Sequence, residues 1–80
     1  ITPEDIRSKK RNANISMARQ VSIYIAREIT NMSMVEIGQT FGGRDHSTVV
    51  YAIRQAEQNI KKDPRTKALV DDIIKNIRDR

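Results

Sequence analysis

The feature that most constrains the fold is the segment GGRDHST at residues 42–48, which separates two stretches with helical periodicity. Gly42 and Gly43 favour the end of a helix, because glycine adopts the left-handed conformation after a helix C-terminus at no steric cost. Asp45 can cap a new helix by accepting a backbone N–H at its start. The segment therefore predicts two helices joined by a turn of about three residues, the helix-turn-helix layout.

Capping and periodicity set the expected helix bounds. Ser33 and Glu36 form a capping box that opens a short helix reaching Phe41. Further helices are expected over about residues 15–30 and 46–61. The expected apolar positions of these three helices are Ala18, Val21, Ile25 and Ile29; Val35, Ile37 and Phe41; and Val49, Ile53, Ala56 and Ile60.

Asp63-Pro64 ends the third of these helices and starts another, over residues 64–79, whose apolar stripe we assign to covering the core. The stripe consists of Leu69, Val70, Ile73, Ile74 and Ile77. Thr2-Pro3 predicts a short helix or turn at the beginning, and no stretch has convincing strand character. The aromatic residues Tyr24, Phe41 and Tyr51 are expected to be core or partly buried. The predicted fold class is all-α, a compact domain of four to five helices.

Size and charge narrow the function. The chain has 80 residues, enough for one domain, and a formal net charge of +5, which favours a polyanionic partner such as nucleic acid or an acidic membrane surface. It has no cysteine and one histidine, so disulfides and cysteine–zinc sites are excluded and other metal sites are disfavoured. Its apolar runs are too short to predict a membrane-spanning helix.

The helix expected from residue 46 has the residue order of a recognition helix. It starts with polar residues, Asp45 to Thr48, and becomes apolar at Val49. Such a helix meets base edges with its first turn and packs on its own domain with later turns. His46, Ser47 and Thr48 can hydrogen-bond to bases, Asp45 can accept from cytosine, and Arg44 can reach a phosphate or a guanine.

A second basic element lies upstream. No acid occurs between Asp5 and Glu28, while six basic residues do: Arg7, Lys9, Lys10, Arg11, Arg19 and Arg27. The RSKKR run at residues 7–11 can act as an arm, and such arms beside helix-turn-helix units reach into the minor groove.

Three other interpretations start from the same residues. One is a repressor that dimerises on a palindrome. Another is a protein-interaction module that docks a partner through residues 64–79. The third is an enzyme using Asp45 and His46, which is disfavoured because adjacent residues at a helix start point in different directions.

The string GGRDHSTVVYA, with MARQ, YIAREIT and SMVEIG before it and SKKR further upstream, resembles the C-terminal DNA-binding domain, domain IV, of the DnaA family of bacterial replication initiators. The resemblance covers about residues 1–61 and, more loosely, the tail. It implies a Trp-repressor-like helix-turn-helix domain that binds nine-base-pair boxes such as TTATCCACA at the replication origin. It implies a role in initiating and regulating chromosome replication, without enzymatic activity in this domain.

The resemblance also assigns roles to residues. It implies base reading by Arg11 in the minor groove and by Asp45, His46 and Ser47 in the major groove. It implies that Thr48 also reads a base there or holds a phosphate. Contacts to the DNA backbone, or positions near it, are implied for Lys9, Lys10, Arg19, Gln20, Arg27, Thr30, Asn31, Met34, Val35 and Arg44. The sequence departs from the family at Ser47, where Thr is frequent, and at Met34-Val35, where Leu-Pro is common.

The resemblance further implies a fragment, residues 1–80, of a longer bacterial initiator, with an upstream helix and an AAA+ domain outside it. The chain has no Gly-x-x-x-x-Gly-Lys-Ser/Thr loop, so no cofactor is expected here, and ATP, ADP and Mg²⁺ are expected only in the AAA+ domain. We expect a monomeric fragment in the bacterial cytoplasm, associated with the nucleoid. Expected partners are duplex DNA and, through the longer protein, regulatory proteins and other initiator protomers.

Overall fold

Four helices build the part of the chain that the computed structural model describes, which is Pro3, Ile6 and residues 13–79. They are α1 (Ala13–Ile29), α2 (Met34–Thr40), α3 (His46–Lys62) and α4 (Pro64–Arg78). Each end lies within two residues of its predicted position, and no strand occurs in this part. The predicted all-α fold is confirmed. Pro3 and Ile6 are helical, but the other residues of the predicted first helix or turn, and the RSKKR run, lie outside the described residues.

The core draws on all four helices. Helices α1 and α3 pack most extensively on each other, and α2 and α4 each contact both. The largest fully buried side chains come one from each helix: Ile23, Ile37, Val49 and Val70. Because each helix buries its apolar face only against the others, the four helices stabilise one another.

The predicted caps are present at the starts of α2 and α3. The Ser33 hydroxyl accepts the Glu36 N–H at 3.1 Å, and the Ser33 N–H donates to the Glu36 carboxylate at 3.2 Å. The Asp45 carboxylate accepts the Thr48 N–H at 2.8 Å. Hydrogen bonds from the Thr48 side chain and then its backbone lower the pKa of Asp45, so its anionic form is stabilised.

The turn between α2 and α3 depends on three glycines. Gly42 and Gly43 have φ values of 96° and 75°, in the region that glycine adopts without strain. Gly38, inside α2, accepts the Arg44 N–H at 2.8 Å. A Cβ atom on Gly38 would overlap the Arg44 carbonyl oxygen and lie 3.3 Å from the Val49 side chain. The two helices can therefore come this close only if residue 38 has no side chain.

Four apolar residues are more exposed than the sequence pattern predicted. Leu69 and Tyr51 are each 60% exposed, Val35 is 58% exposed and Ile77 is 41% exposed. Assigning the whole apolar stripe of α4 to the core was wrong. Helix α4 packs on the core through the buried Val70 and the half-buried Ile73 and Ile74, whereas Leu69 and Ile77 lie at the edges of the contact. The predicted burial of Tyr51 was also wrong, because it lies on the side of α3 that faces away from the core.

Among the described helices, none has the length and apolar character needed to cross a bilayer.

Replacing Gly38 with Ala should destabilise the domain by about 1–3 kcal/mol, the usual cost of forcing extra volume into a packed contact. Helix propensity alone predicts the opposite sign, because Ala is favoured over Gly inside a helix by about 0.5–1 kcal/mol. Urea unfolding measures the difference. Gln39→Ala, at the exposed neighbouring position in α2, is the control and should change stability little. A more stable Gly38→Ala variant would contradict the close approach.

The Asp45 cap should make part of the stability depend on pH. Its pKa is lowered in the folded state, so its contribution is fully present above the unfolded-state pKa of about 4 and is lost as pH falls through the lower folded value. Asp45→Asn keeps a capping oxygen without the charge. The stability difference between the wild type and this variant should therefore shrink on acidification. Melting curves from neutral to strongly acidic pH test this, and a constant difference would refute it.

Candidate nucleic-acid interface

The first turn of α3 presents its polar side chains to solvent. Asp45, His46, Ser47 and Thr48 are all exposed. The Asp45 carboxylate accepts the Thr48 N–H, so Asp45 caps the helix and does not bond to His46. His46 and Ser47 form no side-chain hydrogen bond within the described part of the chain, so both can bond to an external partner.

A shallow depression of about 320 Å³ lies beside this turn. It is lined by His46, Ser47, Val50, Tyr51 and Arg54. Tyr51 and Arg54 were not assigned to the site from the sequence. They follow Ser47 at intervals of four and seven residues, and this helical spacing is the signal that could have found them.

A second depression, of about 350 Å³, lies between α1 and the start of α3. Its walls are Ser16, Arg19, Gln20, Ile23, Arg44, Thr48, Tyr51 and Ala52. We call it the arginine cleft. Of the described residues that line it, two carry positive charge and none is acidic, and Ser16, Gln20 and Thr48 add hydrogen-bonding groups. This composition favours the binding of an oxyanion such as phosphate.

The two arginines of this cleft are held by backbone contacts. The Arg44 guanidinium donates to the Phe41 carbonyl oxygen, and its backbone N–H donates to Gly38. Partial burial and then the nearby charge of Arg19 lower the pKa of Arg44. The structure thus brings two like charges together, and an anion between them would relieve their repulsion.

Arg19 also connects α1 to the beginning of the chain. Its Nε donates to the Ile6 carbonyl oxygen at 2.7 Å. Ile6 directly precedes the RSKKR run in the sequence. The run itself, with Lys9, Lys10 and Arg11, lies outside the described residues.

The connection between α1 and α2 contains several other predicted contact residues. The Thr30 hydroxyl donates to the Ala26 carbonyl oxygen at 2.5 Å and accepts the Met32 N–H at 3.2 Å. Thr30 therefore shapes the end of α1, whatever else it contacts. Arg27, Asn31 and Val35 are exposed, whereas Met34 is half-buried against the core.

The predicted site residues thus fall into distinct groups. The structure brings Arg19, Gln20, Arg44 and Thr48 together in the arginine cleft, and Tyr51 joins this cleft to the depression beside His46 and Ser47. The described residues contain no group of three or more acidic or histidine side chains that could hold a metal ion.

Comparison with known proteins shows to which family the chain belongs. Residues 1–56 match the family described as the bacterial dnaA protein helix-turn-helix, and this match includes α1, α2 and most of α3. The chromosomal replication initiator protein DnaA of Thermodesulfovibrio yellowstonii is 49% identical over 74 residues, which are 92% of this chain and 17% of that relative. The chain therefore spans about a sixth of the relative's length. It belongs to the bacterial DnaA helix-turn-helix family.

Proposed function

We propose that this domain binds duplex DNA at nine-base-pair initiator boxes of a bacterial replication origin and thereby supports the initiation and regulation of chromosome replication. The observation that carries the proposal is the exposed polar first turn of α3 directly beside the arginine cleft. Family membership and the similarity to a replication initiator support it. The proposed activity is docking on DNA, with no catalytic step in this domain.

In this proposal the first turn of α3 enters the major groove. His46 and Ser47 are exposed and bond to base edges, and Thr48 reads a base or holds a phosphate. Asp45 accepts from a cytosine amino group through the oxygen that does not cap Thr48. The reading residues are then held rigidly, because Val49 directly after them is fully buried.

The arginine cleft holds the DNA backbone in this proposal. A phosphate between Arg19 and Arg44 would gain charge-assisted hydrogen bonds and relieve the repulsion between the two guanidinium groups. Gln20 and Thr48 line the same cleft and can donate to phosphate oxygens. The family resemblance adds Arg27, Thr30 and Asn31 as backbone contacts and places Met34 and Val35 near the DNA.

The RSKKR run completes the proposed contact. Arg11 enters the adjacent minor groove, while Lys9 and Lys10 pair with phosphates. The bond between Arg19 and Ile6 supports this arrangement, because it ties the residue before the run to a wall of the arginine cleft.

The wider setting is also proposed. The domain binds as a monomer in the bacterial cytoplasm, in association with the nucleoid. Regulatory proteins and further initiator protomers act through the longer protein, whose AAA+ domain would bind ATP or ADP with Mg²⁺.

Fluorescence anisotropy with two duplexes of equal length, one carrying TTATCCACA and one scrambled, tests the proposal and the role of His46. The wild type should bind the box about 10³-fold more tightly. His46→Ala should lose about 1–3 kcal/mol on the box and little on the scrambled duplex. Asn76→Ala, at an exposed position on α4, is the control. Equal losses on both duplexes would exclude base reading by His46, and a wild type that does not prefer the box would exclude the proposed function.

Lys10→Ala should weaken binding to both duplexes alike, because phosphates are present in every sequence. Plotted as log K against log salt concentration, the slope should become shallower by about 1, since one fewer counterion is released. The control is Lys75→Ala on α4, which removes the same charge at an exposed position. If the two lysine variants have the same slope, Lys10 does not contact the DNA.

A further inference from the structure

The side of α3 that faces away from the core is exposed along the whole helix. We call this side the outer face; it consists of Ser47, Tyr51, Arg54, Gln58 and Lys61. At 100° per residue these positions fall within about 80° of arc. The buried residues of α3 form the other side: Val49, Ala52, Ile53 and Ala56. The outer face therefore continues the line of the first turn, where Ser47 lies.

Tyr51 is the aromatic residue of this face, and it is 60% exposed. It belongs to the walls of both depressions, so it lies between the His46 and Ser47 side chains and the arginine cleft. Tyrosine contributes a large apolar ring with a polar end, which suits an interface that is partly apolar and partly wet. Tyr51 is therefore adjacent to both parts of the proposed DNA contact, the first turn of α3 and the arginine cleft.

Arg54 lies one turn further along. Its side chain is exposed and forms no hydrogen bond or ion pair within the described part of the chain. It lies seven positions after Ser47, which is about 10 Å along the helix axis. The major groove is about 12 Å wide, so a helix that inserts its first turn there brings Arg54 near the phosphates that border the groove.

The charge of the outer face also favours contact with DNA. The outer face carries two basic residues, Arg54 and Lys61, and no acid. The only acid within α3 is Glu57, which lies to one side of this face. A surface of this charge, continuous with the first turn of α3, is complementary to the DNA backbone.

We propose that α3 contacts DNA along its outer face beyond the first turn, with the Tyr51 ring packed against the wall of the major groove and the Arg54 guanidinium paired with a bordering phosphate. This inference rests on the proposed DNA-binding function. It extends the contact by about two turns of helix and assigns to it two residues, Tyr51 and Arg54, to which the family resemblance gave no role at the DNA.

The first test compares Arg54→Gln with Arg65→Gln, which removes the same charge from an exposed residue at the start of α4. Binding to the box duplex is measured at about 50 mM and about 200 mM salt, where loss of one phosphate contact changes the relative affinity by about 3.5-fold. The deficit of Arg54→Gln relative to wild type should shrink by this factor at the higher salt, and that of Arg65→Gln should not. Equal behaviour of the two variants would overturn the Arg54 assignment.

A second test locates the phosphate. Single phosphates bordering the box are replaced in turn by neutral methylphosphonates. At one position the wild type should lose affinity while Arg54→Gln loses none, because the partner of that phosphate is already missing. If every replacement affects both proteins equally, Arg54 pairs with no phosphate.

Tyr51 is tested with two substitutions. Tyr51→Ala should weaken box binding about tenfold, as expected when roughly half of an aromatic side chain is no longer buried on binding. Tyr51→Phe keeps the ring and should stay within about twofold of the wild type. Melting curves confirm that both variants are folded. Unchanged binding by Tyr51→Ala would overturn the packing role.

The outcomes separate this inference from the function on which it depends. A wild type that prefers the box, with outer-face variants that bind as well as it does, would overturn only the inference. A wild type that binds no DNA would overturn both. Outer-face variants that alter self-association without altering DNA affinity would assign the face to contact with a second copy, which also overturns the inference.

Discussion

The contact on which the rest of the site depends is the backbone hydrogen bond between Arg44 and Gly38. It holds the turn against the middle of α2, where no side chain intervenes. Because Asp45 follows immediately, this bond also fixes where α3 begins and in which direction it leaves. The orientation of the proposed reading residues and the closeness of Arg44 to Arg19 both follow from one approach of backbone to backbone.

Helix α3 serves the core and the surface with separate sets of residues. Its buried side chains anchor it against α1, α2 and α4, whereas the side chains of its first turn and outer face are exposed. A recognition element needs this division, because side chains must be held firmly to discriminate between bases. The fully buried Val49, adjacent to Thr48, joins the two functions at the start of the helix.

The sequence predicted the features that depend on neighbouring residues. The capping box at Ser33, the cap at Asp45 and the positive φ values at Gly42 and Gly43 are local, and all were found. The role of Gly38 and the arginine cleft could not be predicted in this way, because both depend on helices that meet only in the folded chain. The exposure of Leu69 shows a related limit: periodicity indicates which side of a helix is apolar, but the neighbouring helices determine how much of that side is covered.

Asp45 caps α3 and, in the proposed complex, also faces a base. These two roles limit how binding specificity can change during evolution. A substitution there alters the surface offered to a base, but it must also leave a group that can accept the Thr48 N–H. Only a few residue types, mainly Asn, Ser and Thr, satisfy the second requirement. His46 and Ser47 carry no such structural bond within the described chain, so new specificities are more accessible at those two positions than at the residue before them.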